Sequence, residues 1–515
     1  MRFLLVRMID LMKRPESKLA GAAVLFAAAA AMLTSVAMTS CEGTSSSRIA
    51  SRPDDAAEVR GERGEGEGPV AQPPPPTIGG RADFRLSQIV GEPEIRVRIA
   101  AGVDRVKLES AAATSGGLWI AGGDETAPRS AVKGAVSVRL AGGWWVATSP
   151  NGTEVTRLNA AAGMFVGGRN SGDEIAINGT SYPGRVRLVP RSETGDRLFD
   201  VIGHVKLEEY LPGVVAKEMP AGWPRSAYEV QAVCARTYAM HERIRSGTTR
   251  AAFDVESNER DQAYAGATKN KTAIEAVRAT RGWVLADGDL LLRAYYSSTC
   301  GGRTASARET WPTGPGFEFN LAGPIQAKAR ESACQISPLH RWSVKRDRWE
   351  LTQRLRAYGE RSQMMVRKIK NLWSIEAAAY NADGRPCAFK IIEPGGTWYQ
   401  LSGEQLRLAM NQSVTLSPAM GPPVPVEMAV GYAASDAETG VSAGPSDVTR
   451  ANRVNSSDVE VSGPRGANNL TISGRGFGHG VGMCQYCARA FADRGEEWRE
   501  MLARFYPGAG MVKAY

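Results

Sequence analysis

The chain is short of histidine and of concentrated charge. Only four histidines occur in 515 residues, and a formal net charge of +9 is spread without any long Lys/Arg run. Without such a run there is no electrostatic footprint for nucleic acid, and the excess reads as solubility or a mild pull toward anionic polymers or membranes. No βαβ pattern surrounds the glycine-rich stretch "GRGFGHGVG" or the pair Cys484-x-x-Cys487 that follows it. That argues against a dinucleotide loop and against a thioredoxin-like redox pair. The segment 42–87 has almost no aromatic content and is rich in Gly and Pro. It cannot bury enough apolar surface to order itself, so a tether stiffened at Pro73–Pro76 is expected.

What is present describes a globular protein of two or three domains, with 43% hydrophobic and 23% charged residues. Arg2, Arg7, Lys13, Arg14 and Lys18 precede an uncharged run from Leu19 to Cys41. A basic segment, an apolar segment and small residues at its end form an export signal over 1–41. The ending "AMTSC" fits a lipobox, which predicts acylation of Cys41. An uncleaved N-terminal anchor is the rival, since the run is nearly long enough to span a bilayer. Either way the bulk of the chain is expected outside the cytoplasm, tethered to the envelope.

From about 88 to 204, short alternating runs such as "EIRVRIA", "GAVSVRL" and "GRVRLVP" are broken by Gly, Asn and Asp. Period-2 alternation predicts an antiparallel β-rich part. At Val205 the period changes. Leu207, Leu211, Val214 and Val215 predict a helix that stops at Met219-Pro220. A second helix is expected from Pro224 to Gly247, with Val230, Val233, Cys234, Thr237 and His241 as one stripe. Further helices are expected near 349–358, 485–494 and 497–505. The stretch 422–469 is small, polar and Gly/Ser-rich, and reads as a surface insertion. The fold class is α+β, with the catalytic core over 205–421 and its C-terminal part over 470–515.

Several residues bear chemistry. Glu218 ends an apolar helix beside Met219, Pro220 and Trp223, where desolvation would raise its pKa toward that of a general acid. A solvated helix-end glutamate is the simpler reading, and periodicity does not separate Glu218 from Glu208 and Glu209. His479 lies between Gly478 and Gly480, which permit close backbone approach to a ligand. A loop histidine bonded to backbone fits equally. Tyr295, Tyr296 and the hydroxyls after them suit a sugar groove, because aromatic faces cover apolar pyranose faces. Cys484 and Cys487 suit half a zinc site, with Cys300 and Cys334 as further ligands and His340 or His479 as substitutes, or else disulfides with Cys300 and Cys334.

Four separated motifs resemble the SpoIID/LytB family of stage II sporulation protein D and amidase-enhancer proteins. They are "LEEYLPGVVAKEMPAGWPRSAYEVQAVCARTYA", "FDVESNERDQAYAG", "AYYSSTCGGRT…W" and "GRGFGHGVGMCQYCARAFADRG" followed by "FYPGA". They occur in family order and span roughly 88–515. The resemblance implies a lytic transglycosylase that cuts the MurNAc–GlcNAc β-1,4 bond of denuded peptidoglycan strands, leaving 1,6-anhydroMurNAc ends. It assigns Glu218, the glutamate before Met-Pro, as the catalytic acid. Gln231, Arg236 and Tyr238 would orient Glu218 or the sugars. Gln262, Tyr296, Ser298 and Thr304 would line the groove, and His479, Gln485 and Tyr486 would close its other wall. No cofactor is required for catalysis, and a structural zinc is compatible with the cysteines. Expected partners are peptidoglycan glycan strands, the membrane and a cell-wall amidase, with no nucleic acid. The alternative is a non-catalytic enhancer of an N-acetylmuramoyl-L-alanine amidase. Three positions depart from the family: Cys484 and Cys487 replace Ser and Gly, and Glu229 stands where many members have Lys.

Overall fold

The computed structural model describes residues 84–111, 117–123, 127–161, 163–170, 172–191, 197–249, 251–414 and 452–515. Cys41, the expected export signal and nearly all of the expected tether lie outside the described residues. The fold is α+β.

The β-rich part is two packed sheets. One runs in the order Val255–Glu256, Glu94–Val103, Phe199–Lys206, Arg185–Pro190, Met164–Gly168, Leu118–Gly122, Ser130–Val132. The other runs Thr180–Tyr182, Ile175–Ile177, Arg105–Ser110, Val136–Ala141, Trp144–Thr148, Glu154–Asn159. All pairs are antiparallel except Val255–Glu256 on Glu94–Val103. Alternation puts Val106, Leu108, Val138, Met164, Val166, Leu188 and Val201 into one core between the sheets.

Strand Phe199–Lys206 runs straight into helix α1 (Leu207–Glu218). Glu208 and Glu209 occupy its first turn, where carboxylates favour the helix dipole. It ends because Met219, ahead of Pro220, adopts φ −109° and ψ 125°. Helix α2 (Arg225–Thr249) is 25 residues, about 37 Å long. It is buried almost without a break from Ala227 to Glu242, so it is the axis of the second core rather than a surface helix. Around it pack α1, α3 (Lys271–Ala279), strand Trp283–Asp287 and two helices from the far C-terminus. The short helix α4 (Ala307–Thr310) follows the strand Tyr296–Ser297.

A third core lies within what the sequence presented as one catalytic region. It joins α5 (Arg348–Arg361), α6 (Gly403–Met410) and strands Arg341–Asp347, Ser374–Tyr380, Pro386–Ile392, Trp398–Ser402, Val459–Ser462 and Asn469–Arg475. Asp347 caps α5, and a Ser402/Gln405 capping box starts α6. This lobe corrects the expected insertion at 422–469. Residues 415–451 lie outside the described residues, but 452–469 are built into the fold. Val454, Ser456, Asp458 and Val459 are buried, and Asp458 pairs with Arg303. Small polar residues here are hydrogen-bonded inside a lobe, which composition alone does not distinguish from a loop. The C-terminus returns to the second core through α7 (Gln485–Asp493) and α8 (Trp498–Phe505).

Candidate active site

Glu218 is the last residue of α1, and α1 comes close to the loop 263–266. That approach needs Gly213: a Cβ there would lie 2.1 Å from the Gly266 carbonyl oxygen and 2.7 Å from the Tyr264 ring. The loop then offers a backbone donor to the carboxylate. Ala263 N–H donates to Glu218 Oε1 at 2.9 Å, and Tyr296 O–H reaches the same oxygen at 3.3 Å. Gln485 Nε2 is 3.4 Å from Oε2 and 3.3 Å from the Glu218 carbonyl oxygen. All three donors are neutral. Burial raises the Glu218 pKa above 4.5, against the lowering effect of the Ala263, Gln485 and Tyr296 hydrogen bonds, and Glu259 adds to the rise. Oε2, with one long bond, is the oxygen with room for a proton.

The second ring of contacts fixes those donors. Gln231 is fully buried, and its Oε1 accepts from Gln485 Nε2 at 3.1 Å, aiming the amide at Glu218. Gln262 is also fully buried. It accepts from Tyr210 O–H at 3.2 Å and donates to the Ala235 carbonyl at 3.1 Å, anchoring the loop that carries Ala263. Tyr486 packs edge-on against Trp223 with ring centres 5.0 Å apart, beside the turn that follows Glu218. Strand Tyr296–Ser297 pairs in parallel with Met483–Cys484, which sets Tyr296 and Gln485 on adjoining segments.

Other predicted residues lie elsewhere. Arg236 does not reach Glu218. It is fully buried and makes a bidentate pair with Glu208 at 2.8 and 3.0 Å, and its remaining donors go to the carbonyls of Val277 and Trp283 and to Thr280. With every donor committed it can orient neither Glu218 nor a sugar. Tyr238 is bonded to Asp261 at 2.9 Å and to Arg293 at 3.0 Å, in a buried ionic cluster. Thr304 is buried and tied to Asp383 by its backbone N–H at 2.7 Å and its hydroxyl at 3.0 Å, so it faces the outer lobe. Ser298 accepts the Tyr486 N–H at its carbonyl, 3.1 Å, while its hydroxyl meets Thr299.

His479 packs against Trp311 and Tyr295, with ring centres 4.9 and 5.9 Å apart. Its Nδ1 accepts from Val481 N–H at 3.0 Å, which leaves the proton on Nε2. Burial holds its pKa down to about 4, so the ring is neutral at pH 7. The flanking glycines make room for the protein itself. A Cβ on Gly480 would lie 2.2 Å from Arg385 Nη1, and one on Gly478 2.9 Å from the Ser297 side chain. Glu229 faces Arg225 at 2.9 Å.

The family described as Stage II sporulation protein (SpoIID) matches residues 196–286, which hold α1, α2 and Glu218. An uncharacterised protein of Brachyspira hyodysenteriae is 26% identical over 343 residues, covering 66% of this chain and 74% of the relative. The amidase enhancer of Bacillus subtilis is 27% identical over 315 residues, covering 59% of this chain and 40% of that protein. Stage II sporulation protein D of Bacillus subtilis is 24% identical over 327 residues, covering 61% and 76%. The chain is similar to the SpoIID/LytB family over these stretches.

Within that family frame the cysteines are the local departure. Cys300, Cys334, Cys484 and Cys487 are all buried, and their sulfurs lie within 4.8 Å of one another. Cys300 Sγ is 3.7 Å from Cys334 Sγ and 3.9 Å from Cys487 Sγ. A disulfide needs about 2.05 Å, and each of these cysteines is free, which corrects the disulfide alternative. Four sulfurs at the corners of a tetrahedron around an ion at about 2.3 Å stand about 3.8 Å apart, so the residues fit zinc. Backbone N–H groups of Cys300 and Cys487 point at Cys484 Sγ, at 3.3 and 3.4 Å. His340 is not a fourth ligand in place of a cysteine. Its Nδ1 lies 3.4 Å from Cys334 Sγ, in the outer shell. The cluster sits one residue from Gln485 and four from Tyr296, the two side chains that reach Glu218.

Proposed function

We propose that this protein is a cell-envelope lytic transglycosylase that cleaves denuded peptidoglycan strands, exported and held at the membrane by its N-terminus. The observation that carries the reading is Glu218: a single carboxyl group, raised in pKa by burial and surrounded by neutral donors. The SpoIID match and the names of the relatives support a role at the cell wall.

The chemistry follows from that one group. Protonated Glu218 gives its proton to the glycosidic oxygen as the bond to the muramyl C1 breaks. The carboxylate left behind is received by the Ala263 N–H, the Tyr296 O–H and the Gln485 amide, which are already in place and need no reorganisation. It then takes the proton from the muramyl C6 hydroxyl, whose oxygen closes on C1 to give the 1,6-anhydro ring. No water enters, so the second carboxylate that an inverting hydrolase needs to activate one has no task here. Glu218→Gln is expected to cut release of 1,6-anhydroMurNAc ends from denuded wall by about 10²–10⁴-fold, the usual share of general acid–base catalysis. Mass spectrometry of the products, with no amidase present, is the test. An unchanged yield refutes the assignment.

The amidase-enhancer relative favours a second reading, in which the chain binds glycan and stimulates a cell-wall amidase without cutting. The same experiment separates the two, since that reading predicts no anhydro ends from the unaltered protein.

Zinc on Cys300, Cys334, Cys484 and Cys487 belongs to the structural side of this proposal. The ion would crosslink the loop after Tyr296, the turn at Cys334 and the start of α7, holding Tyr296 and Gln485 at their distances from Glu218. Native mass spectrometry is expected to find one zinc per chain, and Cys484→Ser to lose it together with a clear fall in Tm. Four titratable thiols in native, metal-free protein of unchanged Tm would overturn it.

A further inference from the structure

The β sandwich holds a cleft that Glu218 chemistry does not use. It opens where the hairpin turn Gly142–Gly143 and the residues Ala160, Ala161 and Gly163 face the end of strand Arg185–Pro190. Its volume is about 620 Å³, and Leu140, Trp144, Asn159, Arg187 and Pro190 line it. An adjoining cavity of about 480 Å³ shares Leu140 and Gly142 and adds Arg105, Arg139 and Arg197 against one carboxylate, Asp104.

Three features there are not accounted for by folding. Trp144 is 43% exposed while its neighbour Trp145 is fully buried in the core. Arg105 and Arg139 stand directly opposite each other on neighbouring strands. Like charges so placed cost stability; neither makes a salt bridge among the described residues, and the one carboxylate that feels Arg139, Glu154, is itself taken by Arg157. Arg187 stacks over Phe165 at 5.5 Å, and its buried Nε has no hydrogen-bond partner. An exposed indole face, a side-chain amide at Asn159 and guanidinium groups that make no salt bridge are the chemistry that grips a sugar carrying a carboxylate.

The cleft is remote from Glu218. Pro190 pairs with Phe199 and Arg185 with His204, so it lies at the end of strand Phe199–Lys206 away from α1. That strand alone separates the two by roughly 20 Å. A ligand bound here is a distant part of a chain, not the sugar being cut.

We propose that this cleft is an auxiliary glycan-binding site that takes a strand of carboxylate-bearing amino sugars, which rests on the glycan-strand reading above. The test uses the full chain carrying Glu218→Gln, so that binding is read without turnover. Two probes are compared: denuded wall glycan, whose muramyl residues carry carboxylates, and chitin oligosaccharides, which carry none. Trp144→Ala is expected to weaken binding of both by about tenfold or more. Arg139→Ala, at an exposed site that leaves folding intact, is expected to weaken the denuded glycan alone, with a shallower salt dependence. Undiminished binding by Trp144→Ala overturns the site, and so does an Arg139→Ala effect on both probes alike. If the unaltered protein yields no anhydro ends while Trp144→Ala still loses glycan, the catalytic reading fails and the cleft stands.

Discussion

Two carboxylates on neighbouring helices have opposite fates. Glu218, at the end of α1, is half-buried and desolvated by its neighbours, and Glu242, on α2, is fully buried. Burial alone would raise both. At Glu242 it is outweighed by Arg293, whose Nε lies 2.7 Å from Oε1, then by His241 and by Arg245 at 2.6 Å from Oε2. Its pKa is held well below the usual carboxylate range. Glu218 has the same number of partners, but a backbone amide, a phenol and a side-chain amide carry no charge. Its pKa stays above 4.5. Hydrogen bonds thus position both groups, and the charge of the donors decides which one keeps a proton to give. Glu242 belongs to the architecture: it holds Arg293, which also bonds Tyr238 and Tyr295, and Tyr295 in turn bonds Asn320.

The sharpest way to break this contrast is Glu242→Gln. It removes the charge with little change of shape and leaves Arg293 buried beside a neutral amide. Breaking a buried pair by one partner typically costs about 3–5 kcal/mol, so urea unfolding should show a loss of that order. Glu218→Gln should show none, because it replaces a group that folding already favours as neutral. A Glu242→Gln chain within about 1 kcal/mol of the parent would mean that Arg293 is satisfied without it.

How much of this was legible beforehand differs between the two groups. The sandwich, α1, α2, α7 and α8 follow from periodicity and punctuation, and Pro220 marks the end of α1 to the residue. Glu218 did not follow from pattern. Its burial comes from Tyr296, Ala263 and Gln485, which lie 78, 45 and 267 residues away in sequence. Only the resemblance to family motifs separated it from Glu208, whose role proves to be pairing with Arg236. The Glu242 cluster left no readable signal, since "MHERIR" looks like an ordinary solvated helix face. The four cysteines were visible as candidates, but their convergence needed the parallel pairing of Tyr296–Ser297 with Met483–Cys484. Neither Trp144 nor the opposed Arg105 and Arg139 stood out from an alternating strand.

The smallest effect expected is also the one that measures the contrast most directly. A carboxyl group whose pKa is raised on folding stabilises the protein fully below its unfolded value, and that contribution is lost as pH rises through its folded value. Glu218 therefore makes the chain less stable at pH 7 than near pH 4, relative to a variant that cannot ionise there. Glu242, lowered on folding, acts with the opposite sign: its contribution is present above the unfolded value and is lost only in strong acid. The difference in Tm between Glu218→Gln and the parent should thus be near zero at about pH 4 and grow in favour of the variant toward pH 7. The catalytic reading ties the same titration to activity, because only protonated Glu218 can start the reaction. Release of anhydro ends should fall over the pH window in which the Tm gap opens. A gap that is flat across that range, or that favours the parent at pH 7, would show that Glu218 is ionised in the folded protein and is not the acid.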